Sequence, residues 1–104
     1  MTRGEIWWAD LPAPVGRRPV VLVSRAAAYA VRESVTVAPV TRTIRGIPTE
    51  VVLERSDGVA TRCVINADDL TTIPKSLLSR RLTTLSPARI SELEAAIRFA
   101  LDLR

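Results

Sequence analysis

Short apolar runs rich in β-branched residues, separated by turn-forming residues, fill the first two thirds of the chain. Runs of this length and composition are typical of strands with at least one buried face. They are GEIWWA (4–9), RPVVLVS (18–24), SVTVAPVT (34–41), TEVVLE (49–54) and RCVINA (62–67), with a further candidate at RRLTTL (80–85). The pattern therefore predicts five strands or more before any long helix begins.

The hydrophobic pattern changes to helical spacing in the last segment, SPARISELEAAIRFALDL (86–103). Ser86 is a candidate N-cap, and Pro87 suits the first helical position. The apolar positions that recur at helix spacing are Ile90, Leu93, Ile97 and Leu101. We expect an amphipathic helix that packs this stripe on the sheet. Earlier in the chain, the alanine-rich RAAAYAVRE (25–33) predicts one or two helical turns.

Several short antiparallel strands followed by one helix predict a mainly β (α+β) fold, a small bent barrel of five to seven strands. Closure would remove the exposed strand edges that otherwise aggregate. Pro39 cannot donate to a strand ladder, so we expect it at an edge, a bulge or a strand end. The segment from Glu54 to Gly58 is predicted as a turn without a chemical role, because Asp57-Gly58 is a strong hairpin signal.

Length and composition favour one compact domain over residues 1–104. An apolar fraction of 47% excludes a disordered polar chain. No apolar run approaches the roughly 18 residues that a membrane span requires. The opening MTRGEIWWAD lacks the basic region and apolar stretch of a secretory signal. We therefore expect a soluble, cytoplasmic protein with no membrane partner.

The residue inventory limits the chemistry. The chain contains no histidine, which excludes histidine metal sites, Ser-His-Asp and Cys-His nucleophile pairs, and histidine acid–base pairs. Cys63 is the only cysteine and lies in an apolar run, so we expect a small buried side chain. Asp68 and Asp69 are adjacent acids that should point apart, and no third ligand is evident. No metal site is predicted there.

The charge balance favours an anionic partner. Fifteen basic residues against eleven acidic residues give a formal charge of +4, and every basic residue except Lys75 is arginine. Arginine makes forked contacts with phosphate, so this excess favours nucleic acid as the ligand. The acidic residues Glu92, Glu94 and Asp102 lie near the end of the chain. We expect the ligand to contact the first half.

Two stretches of that first half carry the candidate anion-binding residues. In VGRRPVVLV (15–23), Pro19 favours an extended backbone for Arg18, so Arg17 and Arg18 should point to opposite faces of the strand. In PVTRTIRGIPTE (39–50), hydroxyl groups alternate with guanidinium groups, at Thr41, Arg42, Thr43 and Arg45. This second stretch is a candidate phosphate cradle, although a polar hairpin loop would have the same composition.

Trp7 and Trp8 are adjacent on a predicted strand. One ring should face the core and the other the opposite surface, because side chains alternate along a strand. We expect the outward ring to cover the helix or a partner chain, with stacking on a nucleobase as the alternative.

Seven stretches of the chain, taken in order, resemble the MazF/PemK/Kid family of toxin endoribonucleases from type II toxin–antitoxin systems. They are RGEIWWADL, GRRPVVLVS, TVAPVT, GIPTEVVL, INADDL, TIPK and the closing helix, and together they span residues 3–103. The resemblance implies a homodimer of SH3-like barrels that cleaves single-stranded RNA, chiefly messenger RNA, at short sequences. It further implies cleavage without metal or other cofactor, inhibition of translation and growth, and neutralisation by a cognate antitoxin.

The resemblance also implies roles for individual residues. The family's catalytic arginine precedes the proline of R-P-V and is Arg18 here, and its catalytic threonine closes A-P-hydrophobe-T and is Thr41 here. The chemistry implied is attack of the RNA 2′-hydroxyl on phosphorus, which leaves a 2′,3′-cyclic phosphate and a 5′-hydroxyl. Arg18 and Thr41 would stabilise the added negative charge. The predicted RNA-binding residues are Arg17, Ser24, Arg42, Thr43 and Arg45.

Two departures from the family pattern are visible. The loop PAPVG, from Pro12 to Gly16, is shorter than in most members and holds no carboxylate. Residues Ala67 to Thr71 lack the glutamine and arginine that other members often carry. Two alternatives stay open: a CcdB-like toxin that binds a topoisomerase without cutting RNA, and a non-catalytic SH3-like nucleic-acid binder.

Overall fold

A computed structural model describes all residues from 1 to 104. It contains seven strands and two α-helices. The strands are β1 (Glu5–Asp10), β2 (Arg17–Leu22), β3 (Ser34–Thr41), β4 (Glu50–Leu53), β5 (Cys63–Asn66), β6 (Thr71–Pro74) and β7 (Leu78–Thr84). The helices are α1 (Ala28–Val31) and α2 (Pro87–Ala100), and short 3-10 turns lie at residues 55–57, 67–69 and 75–77. The predicted mainly β (α+β) fold with a C-terminal helix is confirmed.

The sheet is antiparallel and open, which corrects the predicted closure of the barrel. Its strand order is β4-β5-β3-β2-β1-β7, with β6 also paired to β3. No pairing joins β4 to β7, so both remain edge strands. Helix α2 contacts β4, and β7 carries the exposed, charged Arg80 and Arg81 together with two register shifts against β1. Covering, charge and irregular register all protect a strand edge without closure.

Two apolar cores occupy the two faces of the sheet. The first contains Ile6, Val21, Leu53 and Ile65 and is closed by Leu93 of helix α2. The second is smaller and contains Ala9, Val20, Leu22, Val37 and Tyr29, the last from helix α1. Alternate residues of β1, β2 and β3 supply opposite cores, as expected when both faces of a strand are covered.

Helix α2 begins as predicted and ends earlier than expected. The Ser86 hydroxyl accepts a hydrogen bond from the Arg89 N–H at 3.2 Å, and Pro87 is the first helical residue. Leu93 is fully buried, and Ile90 and Ile97 pack against the first core. Leu101 lies beyond the helix and is 53% exposed, so its predicted place in the packed stripe is wrong.

Pro39 lies inside β3, opposite Val20, and not at a strand end. The other side of β3 pairs with β6 as far as Val37 and with β5 from Val40 onward. Pro39 therefore occupies the point where the second neighbour of β3 changes. A residue without an N–H is tolerated there because the ladder on that side is already interrupted.

The Asp57-Gly58 signal marks a turn but not a tight hairpin. Strands β4 and β5 are paired, yet residues 54–62 connect them through a 3-10 turn that ends at Gly58. Gly58 has a φ of +96°, and a Cβ there would collide with the Thr83 hydroxyl. Both the backbone conformation and the close approach of β7 require glycine at this position.

Strand β6 was not predicted, because its sequence Thr-Thr-Ile-Pro contains only one large apolar residue, Ile73, which is the one buried side chain of the strand. The predicted helical segment at 25–33 forms a single turn, α1. Neither helix has the length and apolar character needed to cross a bilayer.

Candidate functional site

Arg18 and Thr41 lie at neighbouring ends of β2 and β3 in the middle of the sheet. The register between these strands pairs Val20 with Pro39, and extending it by two residues places Arg18 opposite Thr41. Directly opposed side chains of an antiparallel pair share one face of the sheet. The fold therefore brings together two residues that are 23 positions apart in the sequence.

Arg17 and Arg18 belong to opposite faces, as the sequence predicts. Arg17 pairs with Asp10 in the register between β1 and β2, whereas Arg18 pairs with Ala9. The Arg17 guanidinium lies over the Trp8 ring, 4.8 Å from its centroid, and its Nε is 4.0 Å from Asp10. The Arg18 side chain has no hydrogen bond or ion pair within the chain and remains available to an anion.

The Thr41 hydroxyl is oriented by the backbone that follows it. Its oxygen accepts a hydrogen bond from the Thr43 N–H at 3.2 Å. A hydroxyl has one O–H to donate and can also accept, so this contact leaves the Thr41 hydrogen free for a ligand oxygen. The loop therefore positions Thr41 as a donor.

A large cavity of about 550 Å³ opens beside this pair. Its apolar wall is formed by Trp8, Pro19, Val40, Val59, Cys63 and Leu82. Its polar rim is formed by Arg17, Arg18, Thr41, Arg42, Thr43 and Thr61. An apolar wall with guanidinium groups on its rim suits a ligand that combines flat apolar groups with negative charge.

A small cavity of about 150 Å³ adjoins the large one and shares Arg18, Thr41 and Thr43 with it. Its other lining residues are Pro39, Arg45, Asn66 and Asp69. Asp69 is the only carboxylate that lines either cavity. Sequence reasoning missed this residue, because Asp69 is far from Arg18 along the chain and its neighbourhood depends on the pairing of β5 with β3.

The loop between β3 and β4 is shaped by Glu50. The Glu50 carboxylate accepts hydrogen bonds from the backbone N–H groups of Arg45 and Gly46, both with a contact near 3 Å. The carboxylate is thereby bound to backbone, and neither Arg42 nor Arg45 forms an ion pair within the chain. Both guanidinium groups therefore stay beside the cavities with their charge uncompensated.

Ser24 is not brought to this site. It lines a separate cavity of about 440 Å³ with Arg3, Arg25 and Arg98, and its hydroxyl accepts a hydrogen bond from the Thr36 N–H at 2.8 Å. The hydrogen bond to Thr36 connects Ser24 to β3, away from Arg18 and Thr41. The geometry therefore does not support the predicted role of Ser24 in RNA binding. The other predicted site residues all line one or both of the first two cavities.

The two tryptophans lie on opposite faces of β1 as predicted, and both rings are half-buried. Trp7 packs against the second core, and its Nε1–H donates to the Glu5 carboxylate at 2.9 Å. Trp8 forms part of the large cavity and carries Arg17 on one ring face. The ring of Trp8 thus lines the candidate site, and its expected contact with a partner chain or a nucleobase stays a prediction.

Of Cys63, Asp68 and Asp69, only Asp69 offers a reactive group to the small cavity. Cys63 is buried as predicted, and burial raises the pKa of its thiol, which disfavours the reactive thiolate. Asp68 accepts a hydrogen bond from the Thr49 hydroxyl at 2.6 Å, and Asp69 accepts one from the Asn66 amide at 3.0 Å. The two carboxylates thus turn to different partners, and only Asp69 faces the site.

The arrangement suits charge stabilisation at a phosphodiester. Arg18 offers a planar fork of N–H donors and Thr41 a single O–H donor, on adjoining strands. Donors held on paired strands need little reorganisation when negative charge develops between them. Asp69 adds a carboxylate that can accept a proton, a role that the always-protonated arginines fill poorly.

Comparison with known proteins places this site in context. Residues 2–101 match the family model described as PemK-like, MazF-like toxin of type II toxin-antitoxin system. The chain is 42% identical over 101 residues to "Probable endoribonuclease MazF5" of Mycobacterium tuberculosis, with 96% of this chain and 92% of that protein covered.

Solved structures agree with the sequence comparison. An endoribonuclease from a mycobacterial species in complex with its cognate antitoxin has a TM-score of 0.90 and 31% identity, covering 100% of this chain and 97% of that one. The Mycobacterium tuberculosis toxin MazF-mt6 has a TM-score of 0.88 and 34% identity, covering 96% and 98%.

Proposed function

Because the chain belongs to the PemK-like, MazF-like toxin family of type II toxin–antitoxin systems, we propose that it is a sequence-specific endoribonuclease toxin of single-stranded RNA. The observation that carries the proposal is the register that sets Arg18 opposite Thr41 beside a basic, partly apolar cavity. The phosphodiester lies between these two side chains, and the adjoining nucleotides occupy the two cavities.

The reaction uses the nucleophile that RNA itself carries. The 2′-oxygen attacks the adjacent phosphorus, its proton leaves to a base, and the bond from phosphorus to the 5′-oxygen breaks. A proton from water completes a hydroxyl on the departing 5′-oxygen, and the other product ends in a 2′,3′-cyclic phosphate. Arg18 and Thr41 donate hydrogen bonds to the phosphoryl oxygens, whose negative charge increases in the transition state. These donors supply the stabilisation without a metal ion.

Asp69 is our candidate for the proton acceptor. It is the only carboxylate lining either cavity, and it shares the small cavity with both Arg18 and Thr41. Arginine retains its proton throughout the physiological range and is therefore a poor general base. The amide of Asn66 donates to Asp69 and holds the carboxylate in place at 3.0 Å.

The basic rim supplies binding. Arg17, Arg42 and Arg45 carry positive charge beside the cavities and would contact phosphates on either side of the cleaved bond. We further propose a homodimer, neutralisation by a cognate antitoxin, messenger RNA as the main substrate and action in the cytoplasm. Support for the antitoxin comes from the similarity to an endoribonuclease solved with its cognate antitoxin.

One experiment tests the proposed function directly. Purified protein is incubated with a long mixed-sequence RNA in excess chelator, and the new 5′ ends are sequenced and tested for a hydroxyl. We expect discrete cuts at a short shared sequence, each with a 5′-hydroxyl. Intact RNA, or cutting that requires added magnesium, would overturn the proposal. A parallel supercoiling assay would reveal a topoisomerase binder of the CcdB type.

A further inference from the structure

The face of the sheet that carries Trp8 continues beyond the large cavity to the outer strand β7. Trp8 pairs with Arg80 in the register between β1 and β7, so the two side chains share that face. Leu82, two residues further along β7, lines the large cavity together with Trp8. Arg80 therefore lies next to two residues that line the large cavity, on the same face of the sheet.

The charge of Arg80 is not used by the fold. Arg80 is exposed and makes no hydrogen bond or ion pair within the chain. Its neighbour Arg81 pairs instead with Trp7 in the register, and its guanidinium lies 3.8 Å from the buried Glu5 carboxylate. Adjacent arginines on β7 thus differ, since one is tied to the protein and the other is free for a ligand.

We propose that Arg80 is a further RNA-binding residue, which contacts a backbone phosphate of the strand flanking the cleaved bond. The inference rests on the proposed function, because it takes single-stranded RNA as the ligand. Strand β7 lies two strand spacings from β2, roughly 10 Å. Because Arg17 and Arg18 lie on opposite faces, the RNA backbone would pass around the start of β2 from Arg18 to the Arg17 guanidinium on Trp8, and from there reach Arg80 at the sheet edge.

Backbone binding fits this surface better than base recognition. One face of the Trp8 ring is already covered by the Arg17 guanidinium, 4.8 Å from the ring centroid, so this surface offers guanidinium groups in place of a bare ring. Arg80 does not line either cavity, and an exposed arginine without an enclosing pocket contacts phosphate rather than a base edge. The subsite should therefore add affinity without adding sequence preference.

The test compares Arg80→Gln with two variants that lose the same charge. Arg81→Gln alters the next residue on the other face, and Arg32→Gln removes an exposed arginine at the end of α1. After the cleavage site has been mapped, binding is measured with an RNA that carries a 2′-O-methyl group at the cut position and cannot react. Cleavage of the natural RNA gives kcat and KM, and thermal unfolding verifies that each variant is folded.

For Arg80→Gln we expect Kd and KM to rise about 2- to 10-fold, with kcat preserved at saturation. The slope of log Kd against log salt should fall by about 0.7, the value for one lost contact to a single strand. The control variants should match the wild type. Removing the RNA nucleotides on the side that faces β7 should raise Kd for the wild type and leave Kd for Arg80→Gln unchanged.

The outcomes separate the two proposals. If Arg80→Gln and the controls behave alike in KM and salt slope while the wild type cuts RNA, the Arg80 subsite is wrong and the cleavage site stands. If Arg80→Gln changes the preferred cut sequence, Arg80 contacts a base and the backbone assignment is overturned. If the wild type neither binds nor cuts RNA, the proposed function fails first.

Discussion

The Arg17 guanidinium lies on the Trp8 ring, whereas the side chain of the adjacent Arg18 is unpaired and faces Thr41. Two residues of the same type, side by side in the sequence, therefore have different surroundings. Strand alternation separates them, and the stacking and ion-pair contacts of Arg17 restrict its reach. Their substitutions should consequently have different effects.

Arg18→Ala should lower kcat on RNA by about 10² to 10³, because it removes a donor to the developing charge. Arg17→Ala should mainly raise KM, since we propose that Arg17 contacts the backbone of a neighbouring nucleotide. For both variants, kcat and KM are measured at steady state and the cleavage rate is measured under single-turnover conditions. Thermal unfolding verifies that each variant is folded. An inactive Arg17→Ala beside an active Arg18→Ala would show that the catalytic assignment is shifted by one residue.

Thr41→Val should lower kcat by about 10², because valine preserves the shape and the strand preference of threonine but removes the O–H donor. Thr41→Ser should retain most of the activity. Thr61→Val is the matched control, since Thr61 lines the large cavity but not the small one. Equal losses for Thr41→Val and Thr61→Val would indicate that general polarity of the cavity matters and not a specific donor.

Asp69→Asn should lower kcat by roughly 10²-fold with little change in KM, since it removes a proton acceptor and keeps the side-chain volume. Asp68→Asn is the neighbouring control, because Asp68 is engaged with Thr49 and does not line the cavities. Full activity of Asp69→Asn would leave proton removal to water or to the RNA itself and would contradict the assignment.

The pH dependence of stability should include a contribution from Asp57. Hydrogen bonds from Arg89 and from the Glu54 N–H hold the pKa of Asp57 below its usual value of 3.8. A lowered folded-state pKa stabilises the protein above the unfolded-state value, and this stabilisation is lost as the pH falls through the folded-state pKa. Asp57→Asn should cost about 1 kcal/mol at pH 7, and the difference from the wild type should shrink below about pH 4. Urea unfolding of the wild type and of Asp57→Asn at pH 7 and below about pH 4 measures this difference in unfolding free energy. A difference that does not change with pH would refute the contribution of Asp57.

Gly58→Ala should destabilise the protein by about 1 to 2 kcal/mol from the positive φ alone, with an added penalty from the Thr83 side chain. Gly16→Ala is an internal comparison, because Gly16 has a φ of +70° and no atom within 4 Å of the added Cβ. The loss of unfolding free energy in Gly58→Ala minus the loss in Gly16→Ala gives the contribution of the clash with Thr83. No difference would mean that β7 adjusts freely at Thr83.

Local sequence predicted much of the fold, whereas the resemblance to the toxin family indicated the central pair of the site. The β-branched runs predicted six of the seven strands, and the serine–proline start located helix α2. The family motifs R-P-V and A-P-hydrophobe-T indicated Arg18 and Thr41, and the pairing of β2 with β3 then sets these two residues opposite each other. The properties that depend on non-local pairing were not predictable: the open sheet, the short β6 and the position of Asp69.

Individual residues explain these failures. Pro39 reads as an edge residue because its own sequence cannot show that β3 changes neighbours beside it. Asp69 reads as half of an acidic pair because the turn at residues 67–69, which separates it from Asp68, has no distinctive sequence signal. Trp8 reads as a packing residue because the cavity beside it is assembled from five different regions of the chain.

The central position of β2 and β3 has a consequence for timing. Strands paired on both sides exchange their amide hydrogens through the larger opening events of a protein, whereas edges and loops open readily. The backbone positions of Arg18 and Thr41 are thus set once the pairing of β2 and β3 has formed, and only the side chains adjust to a ligand. We therefore expect that an inhibitor acts more readily by covering these strand ends and excluding the substrate than by distorting them.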